Sequence, residues 1–562
     1  MNFEQQTTNS FANTDSMTLK REVLAYILLV LFSIIIYTEA FDVNLLNPSY
    51  IDWLYSGDFR QNFAAINLFR VSKWEFPIGN ISTADYPVGT NVIFLDGNLL
   101  LVVISKLIGY FYSPVFQLYG WWILTCTLLQ FVSLYWTLRN LKVSIQFSLL
   151  GALLLGLLPT FYIRAGHLNL LPHFLIIFGW GLVLSETISL RGKFISFILL
   201  IQISLLVHFY FTPPLILMAF ITIYNEYKDD ASKLNSLDLL SKFAIIVAST
   251  FFAMYSLGYF GTFKMDGGGY GLYSSNLNSL INSRGTSSFW QALPIGLPGQ
   301  EEGYQYLGTG IILFLSLSAL MLKGETFNNV PRNIIYFWLC LFVFSLSNKI
   351  YFNQYLILEI PLPRLLMKLF DAFRASGRYM WFVIYPVLLI VFSNAYKKLF
   401  RINLNTLTSS RSSGIYSAIL IVLFCLQFYD ISSVLRAHRF HTQTIERPSD
   451  DIIKTASKMY QYALLNQFDG PIYIDSPDPD ASKTLFSILS SELLPLKFTS
   501  ISPSPNVRDN MKYKNRNHIN ETLNSDGVVI TQSCDKDQYL IINLHNNWCI
   551  LKLLIESRKP KI

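Results

Sequence analysis

Charge is scarce in this chain. Of its 562 residues, 14% are Asp, Glu, Lys or Arg, against roughly 25% in a soluble domain of average composition. The deficit is too large for one buried core. Cysteine is sparse as well, with five residues. Cys126, Cys340 and Cys425 fall in apolar runs and read as inert packing residues. Cys534 and Cys549 lie together in the C-terminal tail, where an oxidising compartment would allow them to pair or leave them as two unrelated thiols. The first residues lack a basic start, and the apolar run after them lacks a small-residue cleavage site. No cleaved signal peptide is expected, and residues 1–21 read as a disordered cytoplasmic tail before a retained first helix. The Gly-rich stretch at Gly267–Tyr273 follows no strand, which excludes a phosphate loop. The net charge of +7 carries no nucleic-acid signal.

What is abundant is apolar surface. Hydrophobic residues make up 52% and aromatics 15% of the chain, and the mean hydropathy is +0.38. Runs long enough for a hydrocarbon core of about 30 Å are read as about eleven spans. They are Val23–Ala40, Tyr119–Leu138, Gln146–Ile163, Leu168–Ile188, Phe194–Phe211, Pro213–Asn225, Phe243–Gly261, Leu307–Leu322, Asn333–Leu346, Tyr379–Ala395 and Ile415–Tyr429. The Thr212-Pro213-Pro214 step is either a tight outer hairpin or a kink in one span. With the N-terminus in the cytoplasm, every short inner loop is basic, as the positive-inside rule requires. Those loops hold Lys20/Arg21, Arg139/Lys142, Arg191/Lys193, Lys228/Lys233/Lys242, Lys323/Arg332 and Lys397/Lys398/Arg401/Arg411.

The expected fold is thus membrane all-α, with a transmembrane domain over residues 22–432 and a large first extracytoplasmic loop over 41–117. Val92–Tyr112 is read as a juxtamembrane helix in that loop, with Asp96 and Lys106 on its polar side. Residues 433–562 read as a small extracytoplasmic α/β domain, with strands at PIYIDSP, GVVITQ, YLIINL and CILKLL and a helix over Ile452–Leu465.

The candidate chemistry gathers on the outer face. Asp58, Gln61 and Asn62 are spaced to share one helical face, and Asp52, Asp85 and Asp96 lie in the same loop. Carboxylates outside a span serve as general bases or metal ligands, and they also occur in loops that do no chemistry. Arg164 and His167 close the third span; His173 and His208 stand near other helix ends. A single such His is as well explained by packing. Arg374 and Arg378 suit a phosphate or diphosphate, though anchoring to lipid headgroups uses the same physics. Glu301, Glu302 and Tyr306 precede the eighth span, either to contact a sugar or to cap a helix.

Several stretches together resemble the GT-C superfamily of membrane glycosyltransferases, and are most similar to a bacterial branch of it. They are GDFRQNF, YPVGTNVIFLDGNLL, YGWWILTCTLLQ, RAGHLNLLPH, GGYGLYSSNL, EEGYQYLGTG and FRASGRYMW. Their order, and their positions relative to the spans, carry the resemblance across most of the membrane region. The resemblance implies a multi-pass protein of the bacterial plasma (inner) membrane. It would transfer a sugar, with inversion, from a polyprenyl-phosphate-linked donor to an extracytoplasmic acceptor. Asp58 matches the first-loop Asp and would be the general base. Arg378 and Arg374 would stabilise the charge left on the donor phosphate. Asp85 or Asp96 would orient the acceptor or a metal. The sequence departs from the family in having a lone Asp58 and no adjacent acidic pair or D-x-D. That departure leaves metal dependence open: the sequence fixes no cofactor, and a divalent metal (Mg or Mn) is not ruled out by it.

Two other classes compete with this one. One is a transporter or flippase for a lipid-linked substrate, which would be expected to show paired repeats and polar residues at mid-membrane. The chain shows no such repeat, and charges within its spans are few. The other is a non-catalytic assembly factor of the cell envelope, acting through its tail domain.

Overall fold

The computed structural model describes residues 2–86, 88–112, 114–229, 235–261, 268–403, 409–444, 448–466, 471–475, 479–491, 497–498, 528–531, 539–545 and 548–553. In chain order the first elements are α1 (Asn2–Ala40), α2 (Phe59–Val71), β1 (Asn80–Ile81), β2 (Thr90–Asn91) and α3 (Leu99–Gly109). Then come α4 (Tyr119–Asn140), α5 (Ile145–Gly156), α6 (Pro159–Ile163), α7 (Phe174–Leu184), α8 (Leu190–Val207), α9 (Thr212–Asp229) and α10 (Ser236–Leu257). After the Gly-rich loop follow α11 (Thr309–Leu322), α12 (Arg332–Leu346), the hairpin β3 (Lys349–Phe352) and β4 (Tyr355–Glu359), α13 (Arg364–Asp371), α14 (Trp381–Asn403) and α15 (Ser409–Thr444). The tail holds α16 (Asp450–Leu465), β5 (Pro471–Asp475), α17 (Pro479–Ser491), β6 (Lys497–Phe498), β7 (Val528–Thr531), β8 (Tyr539–His545) and β9 (Trp548–Leu553).

Among the described residues, six helices are long and apolar enough to cross a membrane. A seventh crossing is formed if α5 and α6, bent by 45°, count as one. This is fewer than the eleven expected: three of the helices are short, and α9, with 18 residues, carries Glu226, Lys228 and Asp229. The α7, α11 and α12 helices have 11, 14 and 15 residues. At about 1.5 Å per residue they fall short of a core of about 30 Å. Prolines cut two of the expected runs. Pro159 restarts the chain as α6, and Pro172 stands in a non-helical stretch that leaves Leu168–Leu170 as a separate turn before α7. The ambiguous Phe194–Asn225 stretch is two helices, α8 and α9, packed on each other. The first helix extends back over the residues expected to form a disordered tail.

At one end of the bundle, ion pairs tie neighbouring helices together. Glu22 meets Arg139 at 2.6 Å, Glu186 meets Lys142 at 2.6 Å, Glu226 meets Lys193 at 2.7 Å, and Glu325 meets Lys398 at 2.9 Å. Asn333 donates to Asn225 at the same end. The candidate residues of the sequence lie at the other end.

There the expected juxtamembrane helix is broken. A 3-10 turn at Val92–Leu95 ends on Asp96, whose φ of 54° is left-handed, and Asn98 then caps α3 by accepting from the Leu101 N–H. Lys106, expected on a polar face, is buried. Its Nζ donates to the carbonyls of Phe69 and Ser72, satisfying acceptors at the C-terminus of α2 that have no partner within that helix.

The tail forms a five-stranded mixed sheet in the order β6-β5-β7-β9-β8. β5 runs parallel to β6 and β7, and β9 is antiparallel to β7 and β8. Cys549 is disulfide-bonded, and Cys534 lies outside the described residues. The α17 helix seats on α2: Arg60 Nη1 donates to Thr484 Oγ1 at 2.8 Å, and Ser487 Oγ donates to the Arg60 carbonyl at 3.4 Å.

Candidate functional site

A recess on this face is lined by side chains from five separate segments. Asp58 stands at the start of α2, with 57% of its side chain open. Asn62, one turn on, donates to the Asp58 carbonyl at 3.3 Å and is itself buried. Gln61 lies beside it, half-buried. The restart of the chain at Pro159 carries α6 into a tight turn at Arg164–Gly166. That turn buries Arg164 and leaves His167 facing the recess.

His167 bridges two carboxylates. Its Nδ1 is 3.2 Å from Asp58 Oδ2, and its Nε2 is 3.6 Å from Glu302 Oε1. Both are close contacts between the imidazole and a carboxylate oxygen. The other oxygen of Glu302 is held by two guanidinium groups. Arg164 Nη1 donates to Oε2 at 2.7 Å, and Arg378 Nη2 donates to the same atom at 2.9 Å. Arg164 Nη2 also donates to the Glu301 and Glu302 carbonyls. Arg378 lies over the Tyr210 ring, 5.0 Å from its centroid.

Two glycines make this meeting possible. A β-carbon on Gly377 would stand 2.6 Å from Gly303 Cα, and one on Gly303 would stand 2.3 Å from the Ser274 carbonyl oxygen. The backbones touch, so the neighbouring residues Glu302 and Arg378 come into hydrogen-bond range.

The charges shape one another. Burial by itself would raise the Glu302 carboxyl, but the Arg378 guanidinium, with His167 and Arg164, holds it well below the usual carboxylate range. Asp96 shows the opposite balance. Burial raises its carboxyl, His167 pulls it down, and Asp58 pushes it up, with a net upward shift. Asn169 donates to the Asp96 carbonyl and to Asn62, locking the turn against α2. His208 Nε2 stands 4.0 Å from Asp96 Oδ1. Burial, then the charges of Arg378 and His167, push His208 down to about 3.

The structure thus brings Asp58, Asp96, Arg164, His167, Glu302 and Arg378 together. Other candidates lie elsewhere. Asp85 belongs to the turn between β1 and β2, its carbonyl accepting from Val88 and Gly89. Arg374 lies over the Tyr273 ring at 5.2 Å and is half-buried. Tyr306 is buried, not open to a substrate. Its hydroxyl donates to Asp430 at 2.8 Å.

Asp430 was not anticipated. It is fully buried and also accepts from the Thr309 N–H at 2.7 Å, the Thr309 hydroxyl at 2.8 Å, the Ser288 N–H at 3.2 Å and the Ser287 hydroxyl. It fastens the Gly-rich loop and the start of α11 to α15. A lone Asp next to an apolar run was the available signal. Asn169 was equally missed, although it lies within RAGHLNLLPH.

Among the described residues, no group of three or more His, Cys, Asp or Glu side chains is set to hold a metal ion. Glu302 already carries two guanidinium groups, which oppose a cation there. The residues present do not fit the Mg or Mn left open by the sequence.

The described part of the chain is mostly helical, with membrane-spanning candidates around one polar recess. It belongs to the family of a domain of unknown function, DUF6311, which matches residues 30–432. The match takes in every residue of the recess and leaves out the tail sheet. Among curated proteins, none matches the chain.

Proposed function

We propose that this chain is a GT-C-type glycosyltransferase, which moves a sugar from a polyprenyl-phosphate-linked donor to a glycan, lipid or protein acceptor outside the membrane. One observation carries the reading: Asp58 lies against His167, whose other ring nitrogen faces Glu302, the carboxylate held by the guanidinium pair Arg164 and Arg378. Inverting transfer needs a proton acceptor and an anion site within one substrate's reach. The acceptor hydroxyl loses its proton to Asp58, its oxygen bonds to the anomeric carbon, and the bond to the donor phosphate oxygen breaks. His167 orients Asp58. Arg378 and Arg164 take the negative charge left on the phosphate.

The proposed topology has eleven crossings, the short helices among them, and a multi-pass position in a bacterial inner membrane. Its support is the sorting of polar ties. Glu22–Arg139, Glu186–Lys142, Glu226–Lys193 and Glu325–Lys398 each join two residues expected in the cytoplasm. Asp58, His167, Glu302 and Arg378 are all expected outside.

Lipid mass spectrometry of membranes lacking the chain tests the reading. A polyprenyl-linked sugar should accumulate, and re-expression should clear it. If no such lipid responds, the transporter and assembly-factor readings take precedence.

A further inference from the structure

Arg164 and Arg378 come from different helices, and both spend their strongest hydrogen bonds on one oxygen atom, Glu302 Oε2. Two guanidinium groups converging on one oxygen is the arrangement that binds a phosphate oxygen. Here an internal carboxylate occupies it. Arg164 is anchored in place by the Glu301 and Glu302 carbonyls, and Arg378 by the Tyr210 ring. The cations are therefore fixed, and the carboxylate is the movable partner. Glu302 sits in a short 3-10 turn, Pro298–Gly303, that includes Gly299 and Gly303. Its side chain is 21% open, against 3% for Arg164 and 13% for Arg378. A second partner stands ready, since Oε1 already faces His167 Nε2 at 3.6 Å.

We infer that Glu302 is an internal anion which an incoming phosphate group replaces on the Arg164–Arg378 pair, the carboxylate turning to His167. The inference rests on the proposed function for its physiological ligand, the phosphate of a lipid-linked donor. The recognised chemistry is a phosphate monoester or diester, free or on a lipid. The exchange leaves neither guanidinium without an anion and keeps the imidazole of His167 beside the displaced carboxylate, and a guanidinium left alone there would be costly. It also gives the site selectivity. Neutral sugars and alcohols offer nothing to displace Glu302, so the guanidinium pair opens for anions alone.

The test uses the purified full chain in detergent, with thermal shift read against inorganic phosphate and farnesyl phosphate, and chloride at matched ionic strength as the blank. Glu302→Gln should melt lower than wild type without phosphate, because two guanidinium groups lose their counter-ion. Phosphate should restore it, at a half-saturating concentration roughly tenfold or more below that of wild type. Arg378→Gln should abolish the response to both probes. A lipid source is indicated if farnesyl phosphate acts well below inorganic phosphate, and a free anion if the two act alike. Should Glu302→Gln fail to fold, Glu302→Asp withdraws the carboxylate by one methylene and should tighten phosphate severalfold. Equal phosphate response in wild type and the Glu302 variants, or none in any of them, overturns the exchange. Asp58→Asn separates the two claims. If it loses transfer while Glu302 variants show no gain in phosphate binding, the exchange fails and the glycosyltransferase reading stands. If phosphate exchanges as expected but transfer never depends on Asp58, the reverse holds.

Discussion

Gly377 lies with its backbone against that of Gly303, so close that a β-carbon on it would stand 2.6 Å from Gly303 Cα. This contact sets Arg378 against Glu302. Gly377→Ala should therefore push the two segments apart. Overpacking of this kind costs about 1–3 kcal/mol, and the melting temperature should fall accordingly. Because the shift also moves Arg378 away from Arg164, which is bonded to the Glu301 and Glu302 carbonyls, phosphate response should weaken as well. An alanine variant with wild-type melting and wild-type phosphate response would show that the recess tolerates the displacement.

Asp430 should matter for stability and leave anion binding unchanged. Asp430→Asn turns an amide N–H₂ toward groups that now donate to a carboxylate, leaving at least one buried donor unpaired at about 1–3 kcal/mol. Tyr306→Phe removes one of the donors and should cost less, about 0.5–1.5 kcal/mol. Thermal unfolding reads both, and phosphate titration should show unchanged half-saturation.

Asp96 gives the chain a pH dependence with a definite sign. Its carboxyl is raised in the folded state, so folding favours its protonated form. That contribution is fully present below the unfolded value of about 3.9 and is lost as pH rises through the folded value. Asp96→Asn should then melt higher than wild type at neutral pH, with the gap closing on acidification. Asn is chosen because it tolerates the left-handed φ of 54° at this position. A gap that widens toward low pH would contradict the assignment.

The tail domain is tied to the same helix that presents Asp58. Arg60 Nε donates to the Gly57 carbonyl at 3.1 Å while its Nη1 reaches Thr484. Thr484→Val removes that acceptor at a cost of about 0.5–1.5 kcal/mol. Limited proteolysis should cut the tail faster in this variant, with the helical bundle intact. Equal cleavage rates would mean that the remaining contacts of α17, Ser487 on the Arg60 carbonyl among them, hold the domain.

Much of the recess is legible in the sequence because lipid excludes charge. Asp58, Arg164, His167, Glu302 and Arg378 stand out as polar residues near the ends of apolar runs. What the sequence does not reveal is which of them meet. The Glu302–Arg378 pair depends on two glycines from distant segments touching, and no local pattern encodes that. Tyr306 looks like a binding residue until Asp430 is seen to claim its hydroxyl. Lys106 looks exposed because helical periodicity places it on a polar face, but the end of α2 needs a donor and takes it inward. How many helices are long enough to cross is hidden for a related reason. Hydropathy registers apolar runs, while Pro159 and the stretch around Pro172 decide how much of each run is helix.

The central claim is that Asp58 accepts the proton of the acceptor hydroxyl in this recess. Cells lacking the chain, complemented with wild type or with Asp58→Asn at equal expression, test it most directly through the polyprenyl-linked sugar in their membranes. Asn keeps the size and shape of the side chain and removes its basicity. The lipid should fall to normal with wild type and stay accumulated with Asp58→Asn, consistent with the loss of roughly 10²–10⁴ in rate that removal of a general base brings. Clearance of the lipid by Asp58→Asn at the wild-type level would contradict the claim and leave Asp58 without a catalytic part.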